Sequence, residues 1–368
     1  MRRPASAGPA IVIAGGGTGG HLFPGLALAE ELTARGAVVT FVGTAAGIEA
    51  RVVPQAGFPL RLVPGRQLRG GGPGRALRGL AAALAGVRRS RALLRELAPR
   101  LVVGVGGYAS VAAVLAARSA GIPTLLLEQN AVPGAANRLL GRLAARVCVG
   151  FAEAVGFFPR GRAVHTGNPV RRDILGARSA PRPPRPGLLV FGGSQGAHRL
   201  NQAMLAAAGL LGPALGEVAI THQTGTAEQA EVAAGYAALG LAARVEAFID
   251  DMGAAYAAAD LAVARAGAMS CAELTAVGLP AVLVPYPFAA DDHQRRNAEA
   301  LVAAGAAEMI LDRALDGPRL AAALRGLLLA DPARRARMAA AARALGRPDA
   351  AARVAEECLA LAERVTLL

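Results

Sequence analysis

Five glycines interrupted by one threonine, Gly15-Gly16-Gly17-Thr18-Gly19-Gly20, lead directly into His21, and a related run, Gly192-Gly-Ser194-Gln-Gly-Ala-His198, recurs 176 residues later. A glycine turn that opens a helix leaves backbone N–H groups at the positive end of the helix dipole, which suits a phosphate. A tight strand-to-helix turn also needs glycine, so one loop alone decides little. Two loops in the shared register Gly-Gly-hydroxyl-x-Gly favour a phosphate or pyrophosphate ligand. His21, just after the first loop, is placed as a general base, since imidazole titrates near neutral pH.

Gly15, Gly17 and Gly20 also satisfy the dinucleotide spacing G-x-G-x-x-G, which makes a nicotinamide enzyme a competing reading. Its second element is missing. The next strand ends in Phe41-Val-Gly-Thr44, and Glu49 is expected inside a helix rather than at the strand tip where a ribose would bind. A Walker-type loop is excluded, because neither run ends in Lys followed by Ser or Thr. Three cysteines (Cys148, Cys271, Cys358) and five histidines are dispersed without ligand spacing, so no metal is expected. Such cysteine usage fits a reduced, cytoplasmic chain.

In the second half, Gly267 opens a helix that carries Ser270 and Glu273 on one face. Glu273 suits the vicinal hydroxyls of a ribose, while Gly267 to Ser270 approach a sugar or phosphate. The competing reading is an N-terminal capping pair, worth about 1 kcal/mol. The acid pairs Asp250-Asp251 and Asp291-Asp292 lack the Asp-x-Asp spacing of metal-dependent sugar transferases.

These residues need strand ends to hold them. Ala10 to Ala14, Val38 to Val42, Leu101 to Gly104, Thr124 to Leu127 and Arg146 to Val149 read as five strands of one doubly wound α/β domain. A Pro-rich stretch, Gly176 to Pro186, reads as linker. The pattern then restarts with strands at Gly187 to Phe191, Glu217 to Thr221, Ala243 to Ala247, Leu261 to Ala264 and Ala281 to Val284. Ligands of such sheets sit at the carboxyl ends of the strands, so a cleft between two facing domains is expected.

The length of 368 residues fits two domains at roughly 100–200 residues each. No apolar run approaches the ~18 residues of a membrane span, and a cleaved secretion signal is not expected. All 40 basic residues are Arg, against 26 acidic ones, for a net charge of +14. Residues 61–100 hold ten of the Arg and one acid, Glu96. With Leu68, Leu77, Leu80, Leu84, Val87, Leu93 and Leu94 interleaved, this segment is expected to face an anionic membrane surface. No nucleic-acid partner is expected, because no recognition motif appears and aromatics make up only 4% of the chain.

Taken in order, the motifs resemble one family of glycosyltransferases, the MurG family of peptidoglycan synthesis. They are GGGTGGHLFPGLALA from Gly15, GVGGYAS from Gly104, EQN from Glu128, GNPVR from Gly167, GGSQGA from Gly192, FIDDM from Phe248, RAGAMSCAE from Arg265, GLPAVLVPYP from Gly278, DDHQ from Asp291 and GRPDAA from Gly346. The resemblance implies a GT-B fold: an N-terminal acceptor and membrane-facing domain over 1–168, a linker over 169–186, and a UDP-GlcNAc domain over 187–346. A C-terminal helix within 347–368 would pack back on the first domain. It also implies inverting transfer of GlcNAc from UDP-GlcNAc to the 4-hydroxyl of the muramoyl sugar of lipid I, without a metal or other cofactor, at the cytoplasmic face of the membrane beside other cell-wall synthesis proteins. Another GT-B transferase with a different acceptor is the alternative.

Carried onto this chain, the donor contacts are Thr18, Gly19, Gly20, Asn130, Arg171, Ser194, the backbone of Ile249, Ala268, Met269, Ser270, Cys271, Ala272, Glu273 and Gln294. The acceptor contacts are Gly16, Gly17, Gly106, Gly107 and Tyr108, and the base is His21, with Glu128 as second choice. Three departures from the family pattern stand out: Leu127 replaces a common His, Met269-Ser270 replace Leu-Thr, and His293 precedes Gln294.

Overall fold

The computed structural model describes residues 8–63, 73–179, 185–193 and 195–364, with residues 73–83 and 178 as backbone only. The chain divides into unit 1, residues 1–171 with 349–368, and unit 2, residues 172–348. Unit 1 contains β1 (Ala10–Gly15), α1 (Gly19–Ala34), β2 (Val38–Gly43), α2 (Glu49–Gln55), β3 (Leu60–Leu62), α3 (Pro73–Leu97), β4 (Leu101–Gly106), α4 (Tyr108–Ser119), β5 (Thr124–Glu128), α5 (Ala135–Leu140), β6 (Arg146–Val149) and β7 (Ala163–His165). Unit 2 contains α6 (Arg172–Gly176), β8 (Gly187–Phe191), α7 (His198–Leu211), β9 (Ala219–Gln223), α8 (Gln229–Ala238), β10 (Ala243–Glu246), α9 (Met252–Ala257), β11 (Leu261–Ala264), α10 (Ala268–Val277), β12 (Ala281–Leu283), α11 (His293–Ala303), β13 (Ala307–Met309), α12 (Gly317–Leu324) and α13 (Pro332–Leu345). The chain then returns to unit 1 as α14 (Ala350–Arg364).

Strand order is β3-β2-β1-β4-β5-β6-β7 in unit 1 and β10-β9-β8-β11-β12-β13 in unit 2. Every described pairing is parallel. Parallel strands covered on both faces read as continuous apolar runs, and β1 shows how its two faces divide. Ile11 and Ile13 pack with Leu22 and Leu28 of α1 and with Val354 and Cys358 of α14. Val12 and Ala14 pack on the opposite face with Leu93 and Leu94 of α3 and Ala109 and Ala113 of α4. Each fully buried Ile, Leu or Val among them stabilises the fold by about 1.5–3 kcal/mol.

Three strands were not expected from sequence: β3, β7 and β13. Each has three residues at or beside a sheet edge, such as Ala307-Glu-Met309, too short and too polar to stand out as an apolar run. The expected linker is also narrower. Residues 172–179 are helical and pack on α9 and α10, with Ile174 fully buried, so they belong to unit 2. The Arg-rich segment divides too. Leu93 and Leu94 face the core and are unavailable to a membrane, whereas Leu84, Arg88, Arg89, Arg91 and Arg95 are exposed. Arg66, Leu68 and Arg69 lie outside the described residues.

Candidate active site

In each sheet the chain reverses its direction of strand addition once, between β1 and β4 in unit 1 and between β8 and β11 in unit 2. Open parallel sheets bind ligands beyond the strand carboxyl ends at this switch point. The four loops there are Gly15–Gly20, Gly106-Gly107, 192–197 and 265–267, on which four of the ten motifs singled out from sequence fall.

In unit 1 the two loops touch. The Gly16 N–H donates to the Gly106 carbonyl at 3.3 Å, and a side chain on Gly107 would overlap the Gly16 carbonyl. Gly15, Gly16, Gly17, Gly106 and Gly107 all have φ between +80° and +149°, a conformation that only glycine adopts without strain. Thr18 is the N-cap of α1, yet its exposed hydroxyl makes no capping hydrogen bond. Gly19, Gly20 and His21 form the first turn.

The His21 ring lies where a Gly106 side chain would sit, with Nδ1 3.3 Å from Gln129 Oε1. Gln129 Nε2 donates to the Val105 carbonyl at 3.0 Å, which orients the amide and makes its oxygen the acceptor for His21. His21 Nδ1 therefore carries the proton and Nε2 the basic lone pair.

Glu128 is built differently. Only 2% exposed, its carboxylate accepts from Asn130 N–H at 3.0 Å, Asn130 Nδ2 at 3.3 Å, Gly134 N–H at 3.3 Å and Asn137 Nδ2 at 2.9 Å. Four donors on one buried carboxylate hold the turn that carries Asn130. The Tyr108 hydroxyl is buried against Gly86 of α3 without a hydrogen-bond partner, and desolvation raises its pKa. The Arg171 guanidinium lies over the Phe23 ring, 4.8 Å from its centroid. Glu49 also reaches the first loop, a contact that no sequence signal announced: Oε2 accepts from Gly17 N–H at 2.7 Å, and Oε1 from the N–H and hydroxyl of Thr44, each at 2.9 Å.

In unit 2, the Gly193 carbonyl accepts from Gly196 N–H at 2.9 Å and from Gln223 Nε2 at 2.8 Å. Gln223 Oε1 in turn takes the Ile249 N–H at 3.2 Å, so of the Ile249 backbone expected to meet the donor the N–H is already engaged. Ser194 lies outside the described residues. The N-cap of α10 is Gly267, not Ser270, so the Ser270–Glu273 capping pair does not form. Instead Glu273 Oε2 accepts from the Tyr256 hydroxyl at 2.9 Å. Ala268, Met269 and Cys271 are buried and Ser270 and Ala272 half-buried, which leaves the helix backbone and Ser270 as the surface a ligand meets. Burial pushes the Cys271 thiol up to about 12, so it stays protonated. Gln294 Oε1 accepts from Tyr286 N–H at 3.0 Å.

Arg265, unassigned from sequence, organises this end of the sheet. It bonds the Val284 and Pro285 carbonyls at 3.2 Å each and Asp312 at 2.6 Å, which ties the β11 and β12 loops together. Beneath them, fully buried His222 bonds Tyr236 Oη at 3.0 Å through Nδ1 and Asn201 Oδ1 at 3.1 Å through Nε2, and desolvation lowers its pKa to about 4. Among the described residues no cluster of three or more His, Cys, Asp or Glu could hold a metal ion, and no helix is long and apolar enough to cross a membrane.

Residues 11–149 match the glycosyltransferase family 28 N-terminal domain and residues 187–354 the corresponding C-terminal domain. A UDP-N-acetylglucosamine--N-acetylmuramyl-(pentapeptide) pyrophosphoryl-undecaprenol N-acetylglucosamine transferase of Geobacter metallireducens is 49% identical over 356 residues, covering 95% of this chain and 98% of its own length. The protein of the same name from an Anaeromyxobacter species is 49% identical over 96% of this chain and 94% of its own. The crystal structure of Acinetobacter baumannii MurG superposes with a TM-score of 0.75 at 32% identity, covering 95% of this chain and 99% of the other.

Proposed function

This chain belongs to the MurG family, within glycosyltransferase family 28 and with the GT-B fold, and from that premise we infer how its residues perform the reaction. It transfers GlcNAc from UDP-GlcNAc to the muramoyl-pentapeptide of lipid I, forming lipid II. The acceptor 4-hydroxyl oxygen attacks C1 of GlcNAc from the face opposite the nucleotide, and the C1–O bond breaks with its electron pair leaving on UDP. The configuration therefore inverts from α to β. The acceptor proton passes to His21 Nε2. Charge on the departing diphosphate is met by Arg171 and by N–H groups at the starts of α7 and α10, and Glu273, oriented by Tyr256, accepts hydrogen bonds from the ribose diol. The observation that carries this scheme is the His21 tautomer, set by Gln129, at the unit 1 switch point.

Helix dipoles and Arg take the place of a divalent cation. The test is turnover of labelled UDP-GlcNAc with a lipid I analogue in excess EDTA: full activity is expected, and strict dependence on a divalent ion overturns the scheme. Exposed Arg88, Arg89, Arg91 and Arg95 of α3, with Leu84, hold the protein on an anionic cytoplasmic leaflet, beside other cell-wall synthesis proteins, at about 1 kcal/mol per basic residue. Replacing these four Arg by Gln should abolish sedimentation with phosphatidylglycerol vesicles; unchanged binding removes the assignment.

A further inference from the structure

Glu49 is 1% exposed and opens α2, yet no part of the reaction uses it. A buried carboxylate is costly unless donors surround it, and here three do: Gly17 N–H, Thr44 N–H and the Thr44 hydroxyl. The space it fills is reserved by the absence of side chains, since a Cβ on Gly16, Gly43 or Gly47 would overlap the carboxylate or its stem. Three glycines from three segments thus converge on one acid.

The loop they serve has little stiffness of its own. Gly15, Gly16 and Gly17 follow one another at φ +149°, +139° and +89°, and glycine loses more backbone freedom on ordering than any other residue. The Gly16 N–H is held by the Gly106 carbonyl and the Gly17 N–H by Glu49, so the loop is anchored at two consecutive amides immediately before Thr18 and the first turn of α1. His21 rides on that turn.

We propose that Glu49 is a positioning residue for the transfer reaction: its carboxylate, through the Gly17 amide, fixes the glycine loop and with it the placement of His21 on the first turn of α1. The same bond occupies the Gly17 N–H, so of the acceptor contacts expected in this loop that amide is not open to a substrate phosphate.

This inference rests on the role given to His21, and its test separates the two. In Glu49→Gln the side chain keeps its volume but must turn an NH2 toward either Gly17 N–H or the two Thr44 donors. Gly47→Ala leaves every hydrogen-bonding group in place; Gly47 lacks a left-handed φ, so its added methyl acts only by displacing the carboxylate. Both variants should lower kcat about 100-fold, the scale of an ångström-sized misplacement, with UDP affinity by calorimetry within about twofold of wild type. Amide hydrogen exchange at Gly17 to His21 should quicken in both, whatever the activity. Thr44→Val, which removes one donor but not the Gly17 bond, should recover most of the turnover. Unchanged exchange across Gly17 to His21, or kcat within about twofold of wild type in either folded variant, overturns the proposal. Should Glu49→Gln not fold, Gly47→Ala decides. Quickened exchange together with near-normal turnover in His21→Ala would instead overturn the role of His21 and leave Glu49 as the clamp of the loop.

Discussion

The two switch-point loops share a register in sequence and are held by opposite chemistry. In unit 1 a carboxylate, Glu49, takes a loop N–H, that of Gly17. In unit 2 a neutral amide, Gln223, donates to a loop carbonyl, that of Gly193, and adds no charge. The first solution places a negative charge beneath the turn that precedes His21, and the second places none beneath the 192–197 turn. Under the proposed scheme, in which His21 takes the acceptor proton and the start of α7 faces the diphosphate, one glycine pattern would serve two roles with a different residue beneath each. Two of the histidines near these loops also differ. His21 Nδ1 faces the Gln129 amide oxygen, while His222 engages both ring nitrogens with Tyr236 and Asn201 and is kept neutral by burial in the core.

The largest expected effect tests the unit 1 half of this contrast. His21→Ala should lower kcat about 10²–10⁴-fold, the range of general base catalysis, with UDP affinity unchanged; near-normal turnover at saturating substrates would remove the base from this residue. Next is acid sensitivity rooted in unit 2. The His222 pKa lies near 4 in the fold and near 6.5 in an unfolded chain, so between these values the unfolded state binds the extra proton. Stability from this group is present above about pH 6.5 and lost as pH falls toward 4, by about 3 kcal/mol in all. Urea unfolding of the whole chain at pH 7 and pH 4.5, compared with His222→Gln, should show a smaller pH dependence in the variant.

Gln223→Glu would place the unit 1 solution beneath the unit 2 loop. An acceptor would then face the Gly193 carbonyl and a negative charge would face the donor, so UDP affinity should fall by about 2 kcal/mol, roughly 30-fold, in a calorimetric titration. Tight UDP binding by this variant would break the comparison. The smallest effect is expected for Glu273→Gln, where one acceptor atom of the ribose contact is lost while its volume stays: about tenfold in UDP affinity, with kcat at saturation little changed.

Most strands, both glycine loops and the α10 motif were legible because they are local: a β-branched run, a glycine cluster and a helix period each lie within about ten residues. The edge strands were not, because three half-exposed residues carry no periodic signal. Glu49 was passed over for a clearer reason. Dinucleotide-binding sheets place a ribose-binding acid at the tip of the second strand, and this carboxylate comes from the following helix, turned inward onto the loop instead of outward to a ligand. Glu128 is the second candidate base in the same motif that supplies Asn130, and that its carboxylate also holds the turn shows only in its four donors. Arg265 stood inside a recognised motif with no role of its own until the carbonyls of Val284 and Pro285 and the carboxylate of Asp312 closed around it.

What the amino-acid sequence determined by itself was the class of fold and the pair of glycine turns, which follow from residue types at short, fixed spacings, and, through the resemblance carried by ten motifs in order along the chain, the family and its reaction. What only the tertiary structure decided was the state of each polar group: which amide is occupied, which imidazole nitrogen is basic, which carboxylate is saturated. Those depend on hydrogen-bond partners 32 residues apart for Gly17 and Glu49, or 108 apart for His21 and Gln129. Such partners are brought together by the order of strands in the sheet, and no local pattern records them.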